Sequence, residues 1–590
     1  MAHTRYPRAS RLLSLVTALL IGLASLPLTA GVAEAQVVPP AVPVAYDAAS
    51  GTIYIGANYS GADPAQAPYI GYPSHPNAPK SGITLPEVDS ALTTLGFPDL
   101  VVSEGSVWTM RASAIISQTA RLDLTSATLT DVRLDSDPAS GRTPPLTKII
   151  ARGGFLNIDG IRLYSWDPAS ADPQGRDTNY ADGRSYLLAD TGGRMDIINA
   201  EVSHLGHLPG EQSGLAWRKT GTKGDPSDPN IIRTGATGRI IGSDIHSNYF
   251  GQYSYEAYGL VVTNSAFHDN AFYGFDPHDY STGFEVAYNR VYNNGKHGII
   301  FSRGCTNNRI HHNEVYNNVD HGIMLDRGTN NNQITDNLVY GNGDGVAIFQ
   351  SSNNLIQNNI LRGNERGVRI NATFDSNDIY DGLSNDNTVV GNTIEDSLQY
   401  GIYLYERADR NRVEGNTISG SGASGIYIKT GGNVVTKNTI RVNGHGVTII
   451  GGTGAVPTPG GLAPIFTPGA QNRIQGNTFE DNNGSGIQLK GAIETIIGPT
   501  SPAYDPGDAN TIRTNGASGV SMDSGATRNV VYGNIIHGNQ ADGVLVKGAD
   551  SVRNKISRNS ITANGGQGIR LSDGNANLLA PIVTSAPQAT

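Results

Sequence analysis

The sequence predicts an all-β fold: a right-handed parallel β-helix, a solenoid of about a dozen or more coils, with a short N-terminal capping helix. Three observations predict it. One sequence unit recurs, most often at intervals of 21 to 25 residues. Apolar residues alternate over short stretches and do not follow the 3.6-residue period of helices. The chain of 590 residues is also too long for one ordinary globular core, whereas a repeat array escapes that limit because each unit touches only its neighbours.

The unit reads Asn-x-x-x-x-x-Asn or a close variant, a short polar turn, then Gly and an apolar-x-apolar strand. It is clearest as NRVYNNGKHGIIF from Asn289, NEVYNNVDHGIML from Asn313, NLVYGNGDGVAIF from Asn337 and NTISGSGASGIYI from Asn416. Marker glycines run from Gly274 to Gly568. Leucine-rich repeats share the period but need a Leu-x-x-Leu-x-Leu frame, and propellers need about 40 to 50 residues per blade. In a β-helix the apolar residues point inward, asparagines stack as hydrogen-bonded ladders, and glycine supplies positive φ at corners. A dozen coils at ~4.8 Å each give a rod on the order of 60 Å. Cys305 is the only cysteine, so stacking rather than an internal disulfide must hold the fold.

Along the chain, residues 1–35 read as a signal peptide. Arg5, Arg8 and Arg11 precede an apolar run from Leu12 to Leu28, and Ala33-Glu34-Ala35 supplies the cleavage site. The run is short and holds Pro27, which argues against an anchor, and no later stretch is apolar enough to span a bilayer. An extracytoplasmic location follows, the periplasm being expected and secretion the alternative. Residues 36–80 read as an irregular lead-in. Within 81–100, Thr84-Leu85-Pro86-Glu87 is a capping box ahead of Val88, Leu92 and Leu95, and predicts the cap helix. The main β-helix takes 101–450. Further coils with Pro/Gly-rich loops at 452–470 and 494–510 take 451–572, and 573–590 is a flexible tail.

The repeat is broken once by chemistry. Tyr273-Gly-Phe-Asp276-Pro277-His278-Asp279 stands where neighbouring coils carry simple apolar and small polar residues. Proline inside a strand removes a ladder donor, and two carboxylates and an imidazole crowd beside it. Lys296, His297, Ser302 and Arg303 follow one coil on, then Asp320, His321, Asp326 and Arg327, then Arg362, Arg366 and Arg369. His278, Arg303 and Arg327 lie 25 and 24 residues apart, which predicts a row on one face. The net charge of -10 does not by itself attract a polyanion. A local arginine row would, and it reads as a groove for an extended anionic chain.

The Tyr-Gly-x-Asp-Pro-His-Asp string resembles the signature of mannuronan C5-epimerases, the periplasmic alginate epimerases in particular. Phe250-Gly-Gln-Tyr-Ser-Tyr-Glu256, the segment from His297 to Arg303, Gly322 to Arg327 and Arg366 to Ile370 are similar to segments of that family in the same order. Phe275 matches its secreted, calcium-dependent members instead. The resemblance implies C5 epimerisation of polymannuronate within alginate, an isomerase activity. His278 would be the general base, Arg303 the neutraliser of the substrate carboxylate, and Asp276 or Asp279 the group orienting His278. Water or Tyr273 would return the proton. Lys296, His297, His321, Asp326, Arg327, Arg366, Arg369 and Tyr255 would bind substrate. No metal ligands and no cofactor are expected, calcium being the one the secreted members would add. The expected partners are the alginate chain and an alginate export complex, with no nucleic acid, and the chain is expected to be a monomer. A uronate lyase and a non-catalytic glycan-binding β-helix are the alternatives. Polygalacturonase-type hydrolysis lacks its companion motifs.

Overall fold

The computed structural model describes residues 42–56, 81–118, 120–142, 146–207, 214–219, 235–372, 380, 382–452, 467–500 and 506–577. The signal peptide read at 1–35, residues 57–80 of the lead-in and residues 578–590 of the tail lie outside them.

Short parallel strands wind through three sheets, so that each coil contributes one strand to each sheet in turn. The column Val286, Ile310, Ile334, Ile356, Val389, Val413, Val435 and Ile474 shows why. These residues pair in register from rung to rung, and none is more than 1% exposed. β-Branched side chains are stiff and fill a pleated surface well, and each buried one stabilises by roughly 1.5–3 kcal/mol.

Asparagine ladders bind the corners. In the longest, Asn289, Asn313, Asn337, Asn359, Asn392, Asn416 and Asn438 each donate an Nδ2–H to the Oδ1 of the next, at 2.9–3.0 Å. Each also caps a backbone carbonyl of the preceding coil; Asn337 takes Ile310 O at 2.9 Å. Replacing Asn337 by alanine removes the buried acceptor of the Asn313 backbone N–H and of one Asn313 Nδ2–H, and the side-chain donor to Ile310 O, while Asn359 Oδ1 keeps only the Asn337 backbone N–H. The expected cost is about 2–5 kcal/mol, read as a lowered denaturation midpoint. A loss below about 0.5 kcal/mol, the size of an ordinary surface change, would show that the ladder is ornamental.

The marker glycines serve a purpose other than the one expected. None of those from Gly274 to Gly568 has positive φ. A Cβ on Gly298 would come within 2.7 Å of Val315 Cγ1 and Asn318 Nδ2, and one on Gly322 within 2.4 Å of Val339 Cγ1. They are glycine because the next coil approaches too closely for a side chain. Left-handed corners fall instead on other glycines, such as Gly304 and Gly341, and on polar residues such as Asn293, Asn317, Asp336 and Asn358.

The N-terminal cap forms as read. The helix spans Leu85–Thr94, and Glu87 Oε2 accepts from the Thr84 N–H and hydroxyl, each at 2.7 Å. Leu85, Val88 and Leu92 are buried, but Leu95 is 48% exposed because it lies at the C-cap, past the last full turn.

The coils start earlier than Val101. Val44–Asp47 and Thr52–Ile55 form an antiparallel hairpin inside the supposedly irregular lead-in, and Thr52–Ile55 pairs in parallel with Ser113–Ile116. Val101–Glu104 is itself antiparallel to Val107–Met110. The sheet runs on past 450, since Val447 to Ile450 pair with Ile487 to Lys490. The segment 494–510 also holds a rung strand, Ile496–Ile497. One face carries a stack of eight strands and then one of eleven, which lengthens the rod to on the order of 80 Å. The glycine motif missed the rungs before Gly274 because they lack its regular asparagines. Among the described residues no helix is long and apolar enough to cross a membrane.

Candidate active site

The broken repeat lies where those two stacks meet. Strand Asp276–His278 pairs with the strand Phe250–Tyr255, and Phe275 bridges to Ile299 of the next coil. Phe275 is inward, its ring 5.6 Å from Phe267 and 6.1 Å from Phe301. Strand alternation therefore turns Asp276 and His278 outward.

Three outward columns define the face. Tyr273, His297, His321, Asp344 and Arg366 occupy the position before the marker glycine. Tyr253 and Asp276 head the second column, which continues through Ile300, Met324, Ala347 and Arg369. Tyr255 and His278 head the third, followed by Ser302, Asp326, Phe349 and Asn371. The predicted row of His278, Arg303 and Arg327 is thus out by one. The local period is 24, so a separation of 25 moves Arg303 to the corner beside Asp279, with Arg327 following it there. Asp279 and Tyr280 have φ of 26° and 61°, where the next coils use Arg303-Gly304 and Arg327-Gly328. Tyrosine at a glycine corner stores strain next to the one irregular strand.

An open cleft of about 270 Å³ follows on the C-terminal side of His278. Tyr273, Lys296, His297, His321, Asp326, Arg327 and Arg369 all line it, together with Met324, Phe349 and Asn371, which the sequence reading did not single out. The rings of Tyr273, His297 and His321 stack at 5.2 and 4.9 Å, within 10° of parallel. His297 Nδ1 accepts the His321 N–H, and His321 Nδ1 accepts the Asp344 N–H, each at 3.3 Å. Burial, with His321 and Lys296 nearby, drives His297 down to about 3, and burial lowers His321 as well. Burial thus favours the neutral imidazole at both positions.

His278 Nδ1 lies 2.5 Å from Asp279 Oδ2. That contact holds the proton on Nδ1 and leaves Nε2 bare, the state a general base needs. Asp279 therefore orients His278. Asp276 is 2% exposed, its Oδ1 has no hydrogen-bond partner among the described residues, and burial pushes its carboxyl up to about 7. Asp326 is also raised by burial; Ser302 donates to it at 3.1 Å and Arg327 approaches at 3.5 Å. Tyr273 is raised by burial, so its phenol keeps its proton. Tyr255 flanks His278 from the preceding coil and is pushed up to about 12, again chiefly by burial, with Arg218 5.8 Å from its ring.

Two arginines are placed differently from the reading. Arg366 is tied to Asp344 at 2.8 Å and Glu365 at 2.9 Å, which leaves it a support beside the cleft. Arg362 lies in another sheet, paired with Glu395 at 2.7 Å, because its strand Ile360–Arg362 belongs to a different face of the coil. Asp344 was missed, although it joins His321, Arg366 and Arg369 at 2.8 to 3.4 Å. Its signal was available: it precedes a marker glycine, as Tyr273, His297 and His321 do. Among the described residues no group of His, Cys, Asp and Glu is arranged to hold a metal ion.

Stacked parallel strands make this chain a parallel β-helix, with a cleft lined by Lys296, Arg327 and Arg369 on one face. The right-handed beta helix region family matches residues 229–382, 382–550 and 465–589, more than half of the chain, and the chain belongs to it. It is similar to the mannuronan C5-epimerase of Pseudomonas putida, 33% identical over 162 residues, which are 26% of this chain and 30% of that protein. The mannuronan C5-epimerase of Pseudomonas aeruginosa is 29% identical over 207 residues, 34% of this chain and 35% of that one. The chain thus spans about a third of the length of the curated relatives it matches. A crystal structure of a mutant of the periplasmic alginate epimerase AlgG aligns over 63% of this chain and 81% of its own, with a TM-score of 0.51 and 22% identity, a likeness of fold.

Proposed function

We propose that the chain is a mannuronan C5-epimerase acting on polymannuronate within alginate. The observation that carries this is the outward His278, its Nδ1 committed to Asp279, at the head of a cleft lined by Lys296, Arg327 and Arg369. Epimerisation removes the C5 proton, which is α to a carboxylate. That proton is weakly acidic because its loss loads more negative charge onto a group already charged. Arg303 and Arg327, on the corner beside His278, supply planar permanent cations for that charge. His278 Nε2 takes the proton and becomes an imidazolium paired with Asp279.

The proton must return from the other face of the sugar. Tyr273 and His278 stand on opposite sides of Asp276 in the same rung, so a ring lying between them is approached from both faces. Tyr273 is the proposed donor. Tyr273→Phe would then stop net inversion while His278 still exchanges the C5 proton, so deuterium enters mannuronate without guluronate forming. Full epimerase activity in that variant would pass the role to water.

Lys296, His297, His321, Asp326, Arg369 and Tyr255 are assigned to substrate binding, with Arg366 as their support. Arginine neutralisation makes activity independent of calcium, so a chelator should leave the rate unchanged. The likeness to the periplasmic epimerase supports action in the periplasm; a leader at 1–35, a monomeric state and an alginate export complex as partner are further parts of this proposal. Proton NMR of polymannuronate incubated in D₂O, with ultraviolet absorbance followed in parallel, tests the activity. Guluronate carrying deuterium at C5 without new absorbance establishes the epimerase. Rising absorbance from unsaturated ends, with shortened chains, would make the protein a lyase using the same base.

A further inference from the structure

The outward columns continue past the cleft. One coil beyond Arg369 and Asn371, which line it, the strand Tyr400–Tyr405 puts Tyr400, Tyr403 and Tyr405 at its outward positions. Tyr427 follows in register with Tyr403. The rings are close, 5.0 Å between Tyr400 and Tyr403, and 5.2 Å from Tyr403 to both Tyr405 and Tyr427. All four remain partly exposed.

Stacking of coils does not require this arrangement. Tyr292, Tyr316 and Tyr340 on another face show what it does require: one ring per coil, 4.9 Å apart and within 3° of parallel. Tyr400 faces Ser424 in the next coil, and Tyr405 is followed there by Lys429, so neither extends a ladder along its own column. Farther along the columns the outward residues return to Thr448, Gln488 and Ser521. Lys429 Nζ sits 4.8 Å from the Tyr405 ring centre and 3.4 Å from its hydroxyl, and makes no ion pair among the described residues.

We propose that Tyr400, Tyr403, Tyr405 and Tyr427, with Lys429, form a distal subsite for the same acidic polysaccharide. The inference rests on the function proposed above. Phenol rings offer an apolar body and a hydrogen-bonding tip, matching the C–H faces and hydroxyls of a sugar. Lys429 supplies a cation for a uronate carboxylate. The subsite is continuous with the cleft, and five rungs separate His278 from it, ~24 Å. Only a chain several sugars long reaches both, and such a chain gains from binding at two linked places. The platform therefore makes the enzyme prefer long chains.

The test uses the full chain carrying His278→Asn to stop turnover, titrated calorimetrically with short and long oligomannuronates. Long chains should bind about tenfold or more tightly than short ones. Adding Tyr403→Ala and Tyr427→Ala should shrink that gain to less than about twofold, whereas Tyr403→Phe with Tyr427→Phe should keep it and so exclude misfolding as the cause. An undiminished gain in the alanine pair overturns the platform and leaves the epimerase reading intact. A parent that binds no mannuronate chain of any length overturns the functional reading, and the platform with it.

Discussion

Replacing His278 by asparagine is expected to lower the epimerisation rate by at least about 10²–10⁴-fold while the fold persists. Asparagine is the informative substitution. Its amide nitrogen falls close to where Nδ1–H stands, so Asp279, only 6% exposed and 2.5 Å away, keeps a donor. Nothing replaces Nε2, and the base is gone. Because His278 is outward and 23% exposed, its loss opens no core cavity, and the denaturation midpoint should hold. Guluronate formation measured by NMR decides the matter: a variant keeping a tenth or more of the activity removes His278 from the role. Phenylalanine would be a poorer probe, since it also strands the Asp279 carboxylate.

Asp276→Asn is expected to give the largest gain in stability, and the gain should depend on pH. Burial raises the folded carboxyl to about 7, against ~3.9 in the unfolded chain. Between those values the folded state holds a proton that the unfolded state has released, so stability falls as pH rises through this window. Below the window both states are protonated and the penalty is absent. Above it the folded protein carries a buried charge costing on the order of 2–4 kcal/mol. Asparagine keeps the shape and removes the charge. Denaturation midpoints should diverge in favour of the variant above neutrality and converge in mild acid. Equal differences at both ends would show that Asp276 is ionised throughout or paired in the fold.

Much of this was readable before any coordinate. The recurrence of Asn and Gly with apolar-x-apolar strands gives the solenoid, because a ladder residue must recur at each coil and can do so in few other folds. The capping box gave the helix Leu85–Thr94 for a local reason, since Thr84 and Glu87 satisfy donors within their own turn. Tyr273 to Asp279 stood out because the repeat forbids it. Coil counting also brought Lys296, His297, His321, Asp326, Arg327 and Arg369 to one cleft with Tyr273.

The remainder needed the third dimension. Residue spacing cannot say which corner absorbs an extra residue, and a shift of one residue exchanged Ser302 for Arg303 opposite His278. Nor does composition separate a glycine kept for its φ from one kept because Val315 and Asn318 press on it. Arg362 and Arg366 looked like groove residues until their strands assigned one to another sheet and the other to Asp344. The repeat and its single violation are properties of order along the chain, so one dimension is enough to reveal them. Register, burial of Asp276 and the choice of Asp279 as its neighbour's anchor depend on how successive coils pack, and only the folded solenoid decides those.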